Sequence, residues 1–429
     1  MGTPSTAMSG EDDRSPALLI AVAVVAFPLL RPHGPGHITP ADAFMGLAVL
    51  GVIVWAGTYR LPVHLPYLIP VAVLVCTGLL AAMFSVDPAA GSLAVVQDVF
   101  LFAWAAAIAN AIRTPKNLSL ILGAWAWGAT VWASLLIAGV ITHQSWLAGG
   151  QDRAQMGFDN PNMAANYFLM SLFVLLLGRQ PRSRVARLGA CFLILTAIVL
   201  TGSNAALLSL ALGGATAGLF AVWRRTDLVI AVATASIAVV LLAGLAYFTA
   251  EEGVLAKVEN SSNALVERSI ARSSKSAAGR TSLFADELEL FRTGSLLGRG
   301  PANTQVNLER SFGQIVKEAH DDYLATLVER GPVGAIGLLI LVVGVGVRAF
   351  SIVLRPLRPE FARQLRNPSA VVGGAIALAV FATTHEILHY RHVWAFLGIL
   401  AGLYLFGREM QSDSVPGGPS FMRGGRERA

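Results

Sequence analysis

The chain has 429 residues, of which 55% are apolar and only 14% charged. A soluble globular domain carries about 25% charged residues, so that class is excluded. The formal net charge of +6 is no nucleic-acid signal either, because the cations are sorted between loops rather than gathered into a patch.

In chain order, residues 1–16 read as a polar cytoplasmic tail. The apolar run 17–30 imitates a signal peptide, but its leader holds Glu11, Asp12 and Asp13 against Arg14, whereas a signal peptide opens on net positive charge. We read it as the first membrane helix. Further apolar runs predict spans at 41–57, 66–84, 93–112, 118–141, 162–178, 187–202, 204–223, 227–248, 333–354, 369–386 and 392–407. A run of about 18 residues is long enough to cross roughly 30 Å of hydrocarbon. The expectation is an all-α membrane protein of about twelve transmembrane helices. Nine lie in 17–248, a long extracytoplasmic loop fills 249–331, three more helices fill 332–407, and 408–429 is a cytoplasmic tail. The 42 glycines suit helices that approach closely in lipid. Cys76 and Cys191 both lie in apolar runs, which argues against a disulfide or a zinc–thiolate site.

The charges agree with this layout. With the N-terminus in the cytoplasm, nineteen Lys and Arg residues fall on that side and three, Arg31, Arg153 and Arg391, in short outer loops. That is the positive-inside bias. The loop 249–331 holds twelve acidic and ten basic residues, so it is no polybasic lipid-binding arm. Within it Leu283, Phe284, Leu288, Leu290 and Phe291 predict an amphipathic helix. Gly298-Arg299-Gly300-Pro301 breaks that helix, and 319–328 predicts a second short helix lying on the membrane.

The predicted outer face gathers Arg153, Asn160-Pro161-Asn162, Ser203-Asn204, Gly279-Arg280, Gly300 and His320. Arginine grips phosphate oxygens in pairs, and histidine takes a proton near neutral pH. The set suits an anionic, lipid-linked substrate. Asn160 and Asn162 read first as a helix cap and its turn.

These patches resemble a known family. Gly157 to Ala165 resembles the N-P-N-x-x-A motif of the O-antigen ligase and polymerase superfamily, and Thr201-Gly202-Ser203-Asn204-Ala205 resembles its T-x-S-R-G turn. Gly279-Arg280-Thr281 followed by Leu297-Gly298-Arg299-Gly300-Pro301 resembles its G-R and G-x-G-P patterns. His320 to Gly334 resembles its H-N-x-Y-L…E-x-G-x-x-G signature. The resemblance implies a GT-C-like glycosyltransferase of the inner membrane, acting as ligase or polymerase in surface polysaccharide synthesis. Its partners would be a polyprenyl-diphosphate-linked glycan donor, a glycan or lipid acceptor and the bilayer, with no metal, cofactor or nucleic acid. It implies His320 as the base that activates the acceptor hydroxyl and Arg280 as the diphosphate clamp, with inversion at the sugar carbon. Arg153, Asn204, Gly300 and Arg391 would bind substrate. The chain departs from the family at Asn204, where Arg is usual, and at Asp321, where Asn is usual.

Two other classes compete. His385-Glu386-Ile387-Leu388-His389 matches H-E-x-x-H, which on a helix places two zinc ligands on one face with Glu as base; that would be an intramembrane zinc protease. A proton-coupled transporter needs ionisable groups deep in its spans; the predicted spans are nearly free of them, with Asp98 the clearest exception.

Overall fold

The computed structural model describes residues 16–31, 38–144, 153–158, 160–226, 283–312 and 321–408. These form helices α1 (Ala17–Val25), α2 (Pro40–Thr58), α3 (Leu68–Met83), α4 (Pro88–Ala111), α5 (Pro115–Ile141), α6 (Pro161–Leu177), α7 (Arg184–Thr201), α8 (Asn204–Trp223), α9 (Thr304–Phe312), α10 (Asp322–Leu354), α11 (Pro359–Ala362), α12 (Ala370–Ala382) and α13 (Arg391–Phe406). A further helical run covers 283–292. Among the described residues there is no β-strand, only the isolated bridges Gly178–Leu365 and Leu357–Arg408.

The helix starts follow one chemical rule. Thr39, Asp87, Thr114 and Asn160 each cap a helix whose first residue is proline, accepting a hydrogen bond from the third helical amide. Proline costs nothing there, because its missing N–H would have had no partner, while the cap oxygen satisfies an amide that otherwise would have none. Ser183 and Ser203 cap α7 and α8 in the same way.

Six of these helices, α2, α4, α5, α7, α8 and α10, are long and apolar enough to cross a membrane. α3, α6, α12 and α13 are apolar but have 10–17 residues, and α1 has 9. Eleven of the expected spans therefore coincide with helices, and six of them meet the length for spanning. The expected span 227–248 lies outside the described residues. The shortfall is one of helix length: at 1.5 Å per residue, the 13 residues of α12 rise only about 20 Å, short of a roughly 30 Å core.

Large apolar side chains face outward along the bundle, including Leu47, Ile53 and Val54 on α2, Leu188 and Phe192 on α7, and Ile336 and Val343 on α10. An apolar surface of this extent belongs in lipid. Contacts between helices use small residues instead. A Cβ on Gly213 of α8 would lie 2.5 Å from the Gly373 carbonyl oxygen of α12, and one on Gly398 of α13 would lie 2.6 Å from the Ala105 carbonyl oxygen of α4. Such backbone approach is what holds helices together where burial from water contributes little.

Asp98, the acidic group noted within the fourth span, is paired. Arg330 Nη2 lies 2.7 Å from its Oδ2, and Arg330 Nη1 donates to the Leu74 carbonyl at 3.0 Å. The pair ties α3 and α4 to α10.

Candidate functional site

Short connections between antiparallel helices bring the starts of α2, α4, α6, α8, α10 and α13 to one end of the bundle, with the ends of α3, α5, α7 and α12. The described parts of the sequence motifs lie at this end. His320 and Arg280 lie outside the described residues, as do Gly279 and Thr281. The residues on either side of them in the chain form a connected frame.

The first and second motifs dock on one another. Arg153 Nε donates to the Thr201 carbonyl at 2.7 Å, and its Nη2 donates to Asn162 Oδ1 at 2.8 Å. Asn160 caps α6, its Oδ1 accepting from the Met163 amide at 2.8 Å, as its sequence position predicts. Asn204 is the exposed first residue of α8. In place of the family's cation, this position offers a helix N-terminus, whose amides carry partial positive charge.

The third and fourth motifs dock in the same manner. The amides of Arg299 and Gly300 donate to the carbonyls of Val328 and Glu329 at 2.8 and 2.9 Å. Gly298 and Gly300 have φ of +91° and +94°. A Cβ at Gly298 would meet the Glu329 carbonyl oxygen at 2.3 Å, and one at Gly300 would meet Ser85 Cβ at 2.4 Å. Gly300 is thus a buried packing point in this frame. α10 breaks at Gly331 (φ 67°, ψ −177°), followed by Pro332. A Cβ at Gly331 would lie 2.1 Å from the Leu296 carbonyl oxygen. Asn303 extends the frame to the α3–α4 turn, accepting from the Asp87 amide at 2.8 Å and donating to its carbonyl at 3.1 Å.

A small core holds these segments down. Leu283, Leu290, Leu308, Leu324 and Val328 are buried together. The expected amphipathic helix is present over 283–292, but its buried face differs from the expected one. Leu283, Glu287 and Leu290 point inward, at helical spacing, while Phe284 is 51% exposed. Burial, reinforced by the charges of Asp321, Glu329 and Asp286, pushes the Glu287 carboxyl up to about 8. Burial also raises Asp321, the residue after His320, against two backbone amides that pull it down. The second short helix starts at Asp322 rather than 319, because Asp321 caps it, accepting from the Tyr323 and Leu324 amides.

Asp322 connects this frame to the α12–α13 turn. Its carboxylate accepts from the amides of Ile387 at 2.9 Å and Leu388 at 3.3 Å. Just beyond, Arg391 grips Asp42 of α2 with two hydrogen bonds of 2.6 Å, and Asp42 completes a capping box with Thr39. His392 Nε2 lies 2.9 Å from Asn166 Oδ1 of α6, one turn below the Asn162 that receives Arg153. A connected set of contacts thus runs from the residues after His320, through Arg391 and His392, to Arg153 and the turn before Asn204. Below Asp322 and Tyr323 an apolar cavity of about 140 Å³ opens between α10, α12 and α13, reaching Val345 and Phe350.

The H-E-x-x-H motif does not form on a helix. Residues 383–390 are turns and bends between α12 and α13, so its two histidines do not share a helical face. His385 Nδ1 lies 3.1 Å from Thr384 Oγ1 with its ring against Phe381, and His389 meets Tyr390 edge-on. Among the described residues no group of three or more His, Cys, Asp or Glu side chains is arranged to hold a metal ion.

Asp322, Glu287 and Asp42 were missed by the reading of the sequence. Asp322 left a signal there, as the second acid after a candidate base, and so did Asp42, as the third helical residue after the Thr39 cap. The Arg391 partner of Asp42 and the segments that bury Glu287 are distant in the chain.

No curated protein matches the chain. Residues 189–339 match the model of a family described as O-Antigen ligase. That interval holds most of α7, all of α8, Asn204, Arg280, Gly300, His320 and the kink at Gly331. Arg153 and Arg391 lie outside it, and Arg153 is joined to it at Thr201. Over residues 189–339 the chain is thus similar to the O-antigen ligase family, in keeping with the superfamily that its motifs resemble.

Proposed function

We propose that the protein is a GT-C-like membrane glycosyltransferase that moves a glycan from a polyprenyl diphosphate carrier to an acceptor hydroxyl at the outer face of the cytoplasmic membrane. The observation that supports this most is that the described parts of the four motif patches, 153–165 with 201–205 and 297–301 with 321–334, dock in two pairs at one end of the bundle. In this reading about twelve helices span the bilayer, 249–331 forms the outer loop and both tails are cytoplasmic.

The acceptor oxygen attacks the anomeric carbon as its proton passes to His320. The bond from that carbon to the diphosphate oxygen breaks, and the lipid diphosphate leaves. One displacement inverts the sugar carbon, and no metal takes part. Arg280 stabilises the leaving diphosphate, since a guanidinium keeps its charge and binds two oxygens together. The N-terminus of α8 at Asn204 adds partial positive charge where the family's arginine is missing. Arg153 holds that turn in register while facing the substrate, and Arg391, seated on Asp42, lines the mouth of the site. Gly300 shapes the wall. The cavity below Asp322 receives part of the isoprenoid chain.

Transfer from a polyprenyl-diphosphate donor, measured in cells lacking the native protein or with purified protein in detergent, tests this. His320→Ala is expected to lower turnover by ~10²–10⁴-fold, the usual worth of a general base. Arg280→Lys is also expected to transfer poorly, because a point charge lacks the two-pronged grip. Near-normal transfer by His320→Ala would remove the proposed base.

A further inference from the structure

Four arginines meet at the end of the bundle opposite the motifs. The link between α6 and α7 carries Arg179 and Arg182, and Arg187 lies in the first turns of α7. The link between α11 and α12 brings in Arg366, whose amide donates to the Leu177 carbonyl at 2.8 Å. Together with Leu365 they line a cavity of about 390 Å³.

Arg187 is the buried member, at 7% exposure. Its Nε and Nη2 donate to the Pro181 carbonyl at 3.2 and 2.8 Å, and Nη2 also donates to the Arg179 carbonyl at 2.5 Å. Its Nη1 is buried and has no hydrogen-bond partner among the described residues, while the charges of Arg366 and Arg179 act against it. Among the described residues little neutralises this group. Segments 112–127 and 179–190 contain no Asp or Glu, and the carboxylate in 355–370, Glu360, lies 3.5 Å from Arg358. A desolvated guanidinium among like charges is costly unless an anion pairs with it. The N-terminus of α7 adds partial positive charge at the same place.

A second cavity, of about 820 Å³, shares Arg182 and runs along α5 past Leu120, Ala124 and Trp127. These three recur at helical spacing on one face, and Leu120 and Trp127 are 40% and 47% exposed. A cationic cavity with room for a phosphate headgroup thus opens onto an apolar stripe on the lipid-facing side of a helix.

We propose that this end of the bundle binds an anionic phospholipid, its phosphate among Arg179, Arg182 and Arg366 at the mouth of the cavity that Arg187 backs, and an acyl chain along Leu120, Ala124 and Trp127. A zwitterionic lipid would bring its own ammonium group against the arginines, so the site favours net negative headgroups. The site is independent of glycan transfer and lies away from the motif end.

The test uses the full-length protein, purified in detergent and stripped of lipid. Binding of phosphatidylglycerol, of phosphatidylcholine with the same acyl chains and of inorganic phosphate is measured by native mass spectrometry and by thermal stabilisation. Phosphatidylglycerol is expected to bind in preference to phosphatidylcholine. Arg182→Gln with Arg366→Gln is expected to weaken it about 30-fold, since each cation near a lipid surface is worth roughly fivefold. Both residues are exposed, so the helical circular dichroism should not change. Equal binding of the two lipids, or unchanged affinity in the double variant, would overturn the site. Inorganic phosphate stabilising as strongly as phosphatidylglycerol at equal concentration would assign the cavity to a free anion and overturn the lipid.

Discussion

Glu287 shows how one side chain is altered by where its helix packs. Its sequence neighbours make it an ordinary surface acid, yet it is 2% exposed in the small core beneath the residues that follow His320. The unfolded carboxyl titrates near its ordinary value of 4.5 and the folded one near 8. The folded chain therefore binds the proton more tightly, and folding favours the neutral acid. Its contribution to stability is complete below about pH 4.5 and is lost as pH rises through about 8. Hydrogen exchange of the 283–292 helix should accelerate from about pH 4.5 to about pH 8, beyond the intrinsic chemical trend, and Glu287→Gln should abolish that extra acceleration. An unchanged pH response in Glu287→Gln would show that another group titrates there. The same dependence on packing gives Asp322 its place: two backbone amides of the α12–α13 turn depend on its carboxylate, so it holds that turn against the start of α10.

Among the elements, the break in α10 decides the shape of the site. Gly331 adopts a backbone conformation reserved for glycine, and the Leu296 carbonyl fills the space a side chain would need. The break separates the membrane-facing helix after Pro332 from the short helix that begins at Asp322, and it gives the 296–300 segment a surface to dock on. Gly331→Ala should lower stability by roughly 1–3 kcal/mol from backbone strain, with the steric clash in addition, read as a fall in the unfolding temperature in detergent. Gly57→Ala is the control. A Cβ there meets nothing within 4 Å, and alanine favours helix, so its unfolding temperature should hold or rise slightly. Equal behaviour of the two variants would mean the docked kink does not stabilise the molecule.

For the whole molecule, the expectation is a fixed orientation. Nineteen of the twenty-two cations outside the long loop lie on one side of the predicted layout, and that asymmetry orients a polytopic chain. With Cys76 and Cys191 replaced by alanine, a cysteine at Ser262 should react with an impermeant thiol reagent applied to intact cells, and one at Ser183 should react only after permeabilisation. The reversed pattern would invert the layout and move the motif end to the cytoplasm. It would also place the four-arginine cavity on the outer leaflet.

The sequence by itself determined the all-helical class, the position of nearly every described helix and the four motif patches. It could do so because those properties are local. Lipid requires a continuous apolar run with its backbone bonds satisfied inside the helix, and Thr, Asp, Asn or Ser before a first-turn residue caps it wherever it occurs. Tertiary structure alone decided what those residues touch. The union of Arg391 with Asp42 joins positions 349 apart in the chain, and Asp98 finds Arg330 through a break in α10 that the sequence marks only as Gly-Pro. H-E-x-x-H shows the same limit from the other side. Its spacing carries meaning only if the backbone is helical, and here the turn between α12 and α13, held by Asp322 from another part of the chain, makes it otherwise. A local pattern states which partners a side chain is able to take; the packing of distant helices selects among them.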